Sequence, residues 1–174
     1  MAVLLQPVDV AVALSLAGRS TPTFAELGAH LRVSASTAHA SVKRLNAAGL
    51  VHTCGGRHNV NIAALEEFLL HGVRYAFPAH RLRRQRGIPT AHSAPVLQQV
   101  LSGLVDPLVW PSRMGTMVAE GVEPLIPAAA SLAEHAPRLY DLLTLVDAIR
   151  VGTARDREVA GKLLGERLET SACE

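Results

Sequence analysis

One segment of the chain brings small hydroxyls and basic groups together at close spacing. Ser36 and Thr37 carry hydroxyls, which both donate and accept hydrogen bonds, and His39 follows with an imidazole. Lys43 and Arg44 then add two adjacent cations. Hydroxyl and imidazole groups can recognise hydrogen-bonding edges, and cations can pair with phosphate oxygens. These side chains therefore favour non-covalent recognition of a polar, anionic partner.

A capped amphipathic helix is predicted to position these groups. Ser34 is a good N-cap, Ala38, Val42 and Leu45 recur at helical spacing as an inward stripe, and Gly49 ends the helix. A helix that enters the major groove of DNA needs short polar side chains near its N-terminus, to approach base edges, and cations that reach the flanking phosphates. The opposite face carries the candidate DNA-contacting residues, which are Ser36, Thr37, His39, Ala40, Lys43 and Arg44.

Two further helices are predicted ahead of this one. An apolar stretch at 8–16 forms the first. Thr23 and Glu26 have the spacing of a capping box at the start of the second, where each side chain can satisfy an orphan backbone N–H. The turn into the third helix contains Arg32, which costs about 1 kcal/mol if a left-handed backbone is required there. The inward face of the second helix consists of Phe24, Leu27 and Leu31.

A β-hairpin is predicted after the third helix. Residues 50–53 and 58–61 have the composition of short strands, and the glycine pair 55–56 lies in the turn between them. The tip would present Arg57 and His58, which we expect to contact the DNA backbone or the minor groove.

No catalytic constellation accompanies these elements. The eight histidines are not spaced with cysteine or carboxylates as metal ligands are, and the sequence has neither a phosphate-binding glycine loop nor a nucleophile motif. Aromatic residues make up only 3% of the chain, which argues against the stacking platforms of many single-strand binders. We therefore expect no enzyme, no cofactor and no metal, and double-stranded DNA as the nucleic acid.

The order of caps, turn, apolar stripe and hairpin at 24–61 resembles the winged helix-turn-helix of bacterial transcriptional regulators of the MarR, ArsR and IclR kind. The resemblance covers about residues 7–62. It implies that 35–48 is a recognition helix, that 51–61 is a wing, and that a homodimer binds DNA sequence-specifically. The sequence departs from the family at Ala40, a position that is often basic there.

The resemblance leaves more than one function open. We expect a transcriptional regulator, specifically a repressor. A narrower expectation is the antitoxin-like member of a toxin–antitoxin operon, whose protein partner would be the cognate toxin, because several such antitoxins join a winged helix to a less regular C-terminal domain. The alternative is a winged-helix protein-interaction module without direct DNA readout. The polar face of the third helix suits phosphates and base edges better than a dry interface.

The charges of the chain are unevenly distributed. Residues 1–90 contain ten Lys and Arg against four Asp and Glu, a net charge of +6, whereas 91–174 have a net charge of −4. A basic loop is predicted after an apolar, strand-like start at residue 73, and we expect it to grip the DNA backbone. The alternative is a solvated linker or a surface for an acidic partner. The four arginines of this loop are Arg81, Arg83, Arg84 and Arg86.

The rest of the chain completes a mainly α fold with a small β-hairpin. We divide it into a winged helix-turn-helix at 1–72, a basic connecting segment at 73–95 and a mostly helical C-terminal domain at 96–174. Helices are predicted from Pro137 and after Thr153, and their stripes could either finish a core or form the dimer interface. The proline-interrupted part from 91 to 130 is predicted as short strands, helical turns and loops.

The sequence also predicts a cytoplasmic location. Cys54 and Cys173 lie far apart, which favours neither a disulfide framework nor a metal site. No stretch is long and apolar enough for a membrane helix, and the first ten residues lack the basic region and cleavage site of a signal peptide.

Overall fold

The computed structural model describes residues 4–18, 22–101 and 106–173. The first half contains α1 (Pro7–Leu16), α2 (Phe24–Leu31), α3 (Ala35–Ala47), β1 (Val51–Cys54), β2 (Arg57–Val60), α4 (Ile62–Glu67), a π-helical turn (Phe68–Gly72), α5 (Val73–Ala76) and β3 (Arg81–Pro89). The second half contains a 3-10 turn (Ala91–Ser93), α6 (Pro95–Gln98), β4 (Leu108–Pro111), β5 (Met117–Val122), α7 (Ala129–His135), α8 (Pro137–Val151) and α9 (Ala154–Cys173). Helices form more than half of the structure, as predicted, but the sheet of β3, β4 and β5 makes the fold mixed α/β.

The predicted capping signals of the second and third helices are confirmed. The Thr23 hydroxyl accepts a hydrogen bond from the backbone N–H of Glu26, and the Glu26 carboxylate accepts one from the backbone N–H of Thr23 at 2.7 Å. This backbone hydrogen bond lowers the pKa of the Glu26 carboxyl. The Ser34 hydroxyl accepts from the backbone N–H of Thr37 at 3.1 Å and so begins α3. Local side-chain chemistry therefore sets where both helices start.

A tight turn joins α2 to α3. Arg32 ends α2 in the left-handed conformation with φ 53°, so the condition under which a non-glycine residue is strained in this turn is met. Gly28 lies where the turn folds back over α2, and a Cβ there would come within 2.7 Å of the carbonyl oxygen of Val33. Real side chains do not tolerate such a distance to backbone, so the glycine permits the close approach of the two helices.

Arg32→Gly is expected to increase the free energy of unfolding by about 0.5–1 kcal/mol. Glycine adopts a positive φ without the Cβ strain that arginine bears, and the exposed Arg32 side chain loses no buried contact. Urea unfolding followed by circular dichroism measures the change. Arg32→Ala keeps the Cβ and serves as the control, and an equal gain in both variants would contradict the explanation.

The hairpin of β1 and β2 is tighter than predicted. The strands pair antiparallel from Val51 opposite Val60 to Cys54 opposite Arg57, so the turn consists of Gly55 and Gly56 alone. Both glycines have positive φ, 57° and 79°, which is the requirement of the hairpin turn whose twist matches the strands.

The predicted end of the fourth helix at Gly72 is wrong. The helix widens into a π-helical turn at Phe68–Gly72 and continues through Val73–Ala76, so the strand-like start predicted at residue 73 is helical. Leu65, Leu69 and Val73 are all fully buried along this continuous helix. Burial of this stripe outweighs the helix-ending tendency of the glycine.

The predicted basic loop is also wrong, because its arginines lie on β3. This strand pairs antiparallel with both β4 and β5, and β4 pairs parallel with β5, so the three strands close on themselves. A register shift between Leu82 and Arg84 inserts Arg83 as a bulge. The bulge interrupts the alternation of buried and exposed side chains by which a strand is identified in sequence. As a result, the neighbouring Arg83 and Arg84 are both exposed.

Helix α8 is the central element of the described fold. The predicted start at Pro137 and the stripe of Leu139, Leu142, Leu143, Val146 and Ile149 are confirmed, and all five are buried. Because the residues between them are buried as well, α8 completes the core rather than offering a face for a partner. The predicted cap at Thr153 is confirmed by its hydrogen bond from the backbone N–H of Asp156.

Elements from both halves of the chain share one hydrophobic core. Helix α1 packs against α3 and α8, and α4 packs against α9. The segment 73–95 supplies β3, which pairs with strands of the range 96–174. The division into domains at 72 and 95 stays a prediction. Within the described part of the chain, no helix is long and apolar enough to cross a membrane.

Candidate nucleic-acid interface

The predicted outward face of α3 is present on the surface. Ser36, His39 and Lys43 are exposed, while Thr37 and Ala40 are half-buried. The Ser34 hydroxyl contacts the hydroxyls of Ser36 and Thr37, each at 2.8 Å. A hydroxyl has one donor hydrogen and two acceptor lone pairs, so each keeps hydrogen-bonding capacity toward a partner. The inward stripe of Ala38, Val42 and Leu45 is buried as predicted.

Arg44, predicted to contact phosphate, is half-buried and ion-paired within the protein, unlike the exposed residues of this face. Its Nε and Nη2 donate to the two carboxylate oxygens of Asp9 at 2.8 and 2.6 Å. The hydrogen bond to Asp9 raises the pKa of the Arg44 guanidinium. Asp9 is 1% exposed and also accepts from the Ser41 hydroxyl. The bidentate ion pair therefore joins α1 to α3 inside the protein.

A groove of about 510 Å³ separates α3 from the hairpin. Val42, Lys43, Asn46 and Ala47 of α3 form one wall, and Thr53, Gly56 and His58 of the hairpin form the other, with Phe24 and His39 between them. Among these lining residues there is no carboxylate, whereas Lys43 contributes a full positive charge and two imidazoles add hydrogen-bonding groups. An anionic backbone would meet no like charge in this groove.

Phe24 forms the aromatic floor of the groove. Its ring lies 4.9 Å from the ring of His39 in an edge-to-face arrangement and 5.2 Å from the ring of His58. Phe24, predicted on the inward face of α2, is only half-buried and contacts both imidazole rings. Because His39 and His58 lie 15 and 34 residues further along the chain, no local pattern could reveal this cluster.

The hairpin wall is held to α3 through Thr53. Asn46 donates to the Thr53 hydroxyl at 3.0 Å, and the same oxygen lies 3.0 Å from Nδ1 of His58. His58 therefore points into the groove and not outward from the tip, which corrects its predicted placement. Arg57 is exposed beside the glycine turn, where the sequence placed it. Sequence reasoning missed Asn46 and Thr53, whose roles depend on the pairing between helix and hairpin.

The four arginines of β3 form a second basic surface. Three of them contact β5 or the loop before it: Arg81 pairs with the Glu120 carboxylate at 2.8 Å, Arg84 donates to the Val118 carbonyl at 3.2 Å, and Arg86 donates to the Gly115 carbonyl at 3.1 Å. Arg83, on the bulge, has no hydrogen-bond partner among the described residues. β3 packs mainly against β4, β5 and α7, so these arginines belong to the three-stranded sheet.

A second buried polar cluster lies beneath the sheet. Asp147 of α8 accepts hydrogen bonds from the Thr90 hydroxyl at 3.1 Å, from Nε1 of Trp110 at 2.5 Å and from Nη1 of Arg150 at 2.5 Å. Burial raises the pKa of the Asp147 carboxyl, while the charge of Arg150 and the two other donors oppose that rise. The cluster ties Thr90, the residue after β3, to β4 and α8, and no sequence motif indicates it.

Neither polar cluster has the composition of a metal centre. Among the described residues, no group of three His, Cys, Asp or Glu side chains lies close enough to hold a metal ion. The arrangement at α3 and the hairpin is thus one of hydrogen-bonding and cationic groups around an aromatic floor. Comparison with protein-family models, curated proteins and solved structures found no match to the chain.

Proposed function

We propose that the protein is a sequence-specific double-stranded DNA-binding transcriptional regulator that acts as a repressor in the cytoplasm. Helices α2 and α3 serve as a helix-turn-helix, and β1 and β2 serve as its wing. The observation that carries the proposal is the groove between α3 and the hairpin, which is lined by Lys43, His39 and His58 and contains no carboxylate. A DNA strand passing between recognition helix and wing needs such a channel.

Each exposed group has a role in this arrangement. Ser36 and His39, near the start of α3, approach base edges in the major groove. Lys43 and Arg57 contact phosphates on the two sides of the groove. Arg44 acts indirectly, because its ion pair with Asp9 fixes the orientation of α3 on α1.

The small number of cations at this surface favours a dimer. Lys43 and Arg57 are the fully charged residues of α3 and the hairpin that the structure leaves exposed without an ion-pair partner among the described residues. Two phosphate contacts give weak binding at physiological salt, because affinity and its salt dependence scale with the number of phosphates neutralised. A homodimer doubles these contacts and reads two half-sites. Arg83 adds a further cation on the surface of β3.

Selection from a randomised duplex library, followed by fluorescence anisotropy on the enriched sequence, tests the proposal. Lys43→Ala is expected to weaken binding by about tenfold and to reduce the slope of log affinity against log salt by about 1 per protomer. Lys162→Ala, an exposed lysine on α9, should bind like the wild type. Failure of the wild type to enrich any sequence, or equal loss in both variants, would reject the proposal.

A protein-interaction module is the competing function, and the surface of α3 disfavours it. The cores of protein interfaces are depleted of charge, whereas α3 presents Ser36, His39 and Lys43 to solvent. No described contact favours a toxin or another protein as the occupant of this face.

A further inference from the structure

A cavity of about 570 Å³ lies on the side of α8 that bears Arg150. Its volume falls within the range of small-molecule sites, roughly 300–1,000 Å³. Apolar parts of the chain form most of its walls: Pro7, Ala76, Phe77, Pro78, Pro124, Leu125 and Pro127, with His80 and Glu123 as further lining residues. The prolines of the lining restrict the backbone around the cavity.

Arg150 supplies a polar group in this cavity. Its side chain is only 3% exposed. Nε donates to the Phe77 carbonyl at 2.8 Å, and Nη1 donates to Asp147 at 2.5 Å and to the Glu123 carbonyl at 3.4 Å. Nη2 has no hydrogen-bond partner among the described residues. Arg150 lines the cavity, and no fully buried side-chain nitrogen or oxygen in the described part of the chain lacks a partner, so Nη2 is the guanidinium nitrogen left for a ligand in the cavity.

Asp147 uses only part of the hydrogen-bonding capacity of Arg150. One oxygen of Asp147 accepts from Arg150, and the other accepts from Trp110 and Thr90. Arg150 therefore donates a single hydrogen bond to a carboxylate instead of the bidentate pair that a guanidinium can form. A second carboxylate at Nη2 would use donors that are already oriented and largely desolvated, which lowers the cost of binding.

We propose that this cavity binds a small organic carboxylate with an apolar body. The carboxylate accepts a hydrogen bond from Nη2 of Arg150, and the apolar body packs against Phe77, Leu125 and the prolines. Glu123 at the lining disfavours a ligand with a second negative charge, so the ligand is a monocarboxylate.

The position of Pro7 connects the cavity to α3. Pro7 is the first residue of α1, and two residues later Asp9 holds Ser41 and Arg44 of α3. A ligand that shifts the start of α1 would displace the carboxylate to which α3 is bound. We infer that occupation of the cavity changes DNA affinity; this second step, unlike ligand binding itself, rests on the proposed function.

Thermal unfolding of the full chain with cyclohexanecarboxylate, and with its uncharged amide as the matched probe, tests the site. We expect a saturable rise in Tm, about 3–6 °C at ten times the Kd, for the carboxylate only. Arg150→Gln should abolish the rise. Because that variant can also fail to fold, Ala76→Trp provides a second one: Ala76 is exposed and lines the cavity, so tryptophan fills it. Ala63→Trp, at an exposed position on α4, is the control.

Loss of the Tm rise in Ala76→Trp but not in Ala63→Trp supports the site. An equal rise with the amide, no saturable rise in the wild type, or an undiminished rise in Ala76→Trp overturns it. Anisotropy on the selected duplex, with and without the carboxylate, then tests the second step. A ligand that binds but leaves DNA affinity unchanged overturns the coupling alone, and a protein that selects no duplex overturns the proposed function while the Tm data still decide the site.

Discussion

Asp147→Ala is expected to lower the free energy of unfolding by about 4–5 kcal/mol. The substitution leaves the guanidinium of Arg150, 3% exposed, without its carboxylate, and breaking a buried ion pair from one side typically costs about 3–5 kcal/mol. It also removes the acceptor for Trp110 and Thr90, whose donors then remain buried and unsatisfied. Urea unfolding followed by fluorescence measures the loss directly at the site, because Trp110 is the single tryptophan of the chain.

Two further variants separate this cause from others. Asp106→Ala removes an exposed aspartate and should change the free energy of unfolding by less than about 0.5 kcal/mol. Asp147→Asn keeps the shape of the side chain but replaces one carboxylate oxygen by an NH₂ group. That group would face a donor of either Arg150 or Trp110, so the variant should also be much less stable than the wild type. Wild-type stability in Asp147→Asn would show that packing, not hydrogen bonding, is what Asp147 contributes.

Asp9→Ala is expected to cost about 3 kcal/mol of stability and to weaken DNA binding as well. Arg44 retains 21% exposure of its side chain, so the penalty lies near the lower end for a broken buried pair. The variant also loses the carboxylate that accepts from the backbone N–H of Gln6 at the start of α1, at 2.8 Å. Because Asp9 fixes α3 on α1, the proposed function predicts that DNA affinity falls although no residue proposed to contact DNA has changed.

The double variant Asp9→Ala with Arg44→Met identifies the ion pair as the cause. Removing both charges eliminates the unpaired guanidinium, and apolar replacements of buried pairs are often neutral or stabilising. Chemical unfolding should therefore show the double variant to be more stable than Asp9→Ala alone. If the double variant lost as much stability as Asp9→Ala and Arg44→Met together, the two residues would not interact, and the ion pair would be contradicted.

The first three helices and the hairpin could be predicted because their signals are local. Each of these signals lies within four residues, and the structure contains all three. They are the Thr23–Glu26 capping box, the Ser34 N-cap that accepts from Thr37, and the glycine pair of the hairpin turn. A side chain that satisfies a neighbouring backbone group is visible in sequence, since both members lie in the same few residues.

The parts that could not be predicted depend on distant partners. Arg44 appeared to be one of two cations on an open face, and only the fold reveals Asp9, 35 residues earlier, as its partner. β3 looked like a loop because four of its six first residues are arginines and a bulge disrupts its alternation. Its pairing with β4 and β5 joins residues at least 20 positions apart, beyond the reach of periodicity. The candidate site was thus only partly predictable, because Phe24 and His58 meet α3 through tertiary contacts.

The π-helical turn at Phe68–Gly72 makes that stretch a place where related chains can differ in length by one residue. A π turn contains one residue more than the α-helix it interrupts, and each residue of an α-helix rotates the chain by about 100°. Because the turn absorbs the extra residue locally, deleting one codon there would restore a regular α-helix and leave Val73 in the core. Homologous chains that keep this architecture should therefore include some that are one residue shorter within the turn and unchanged in β3.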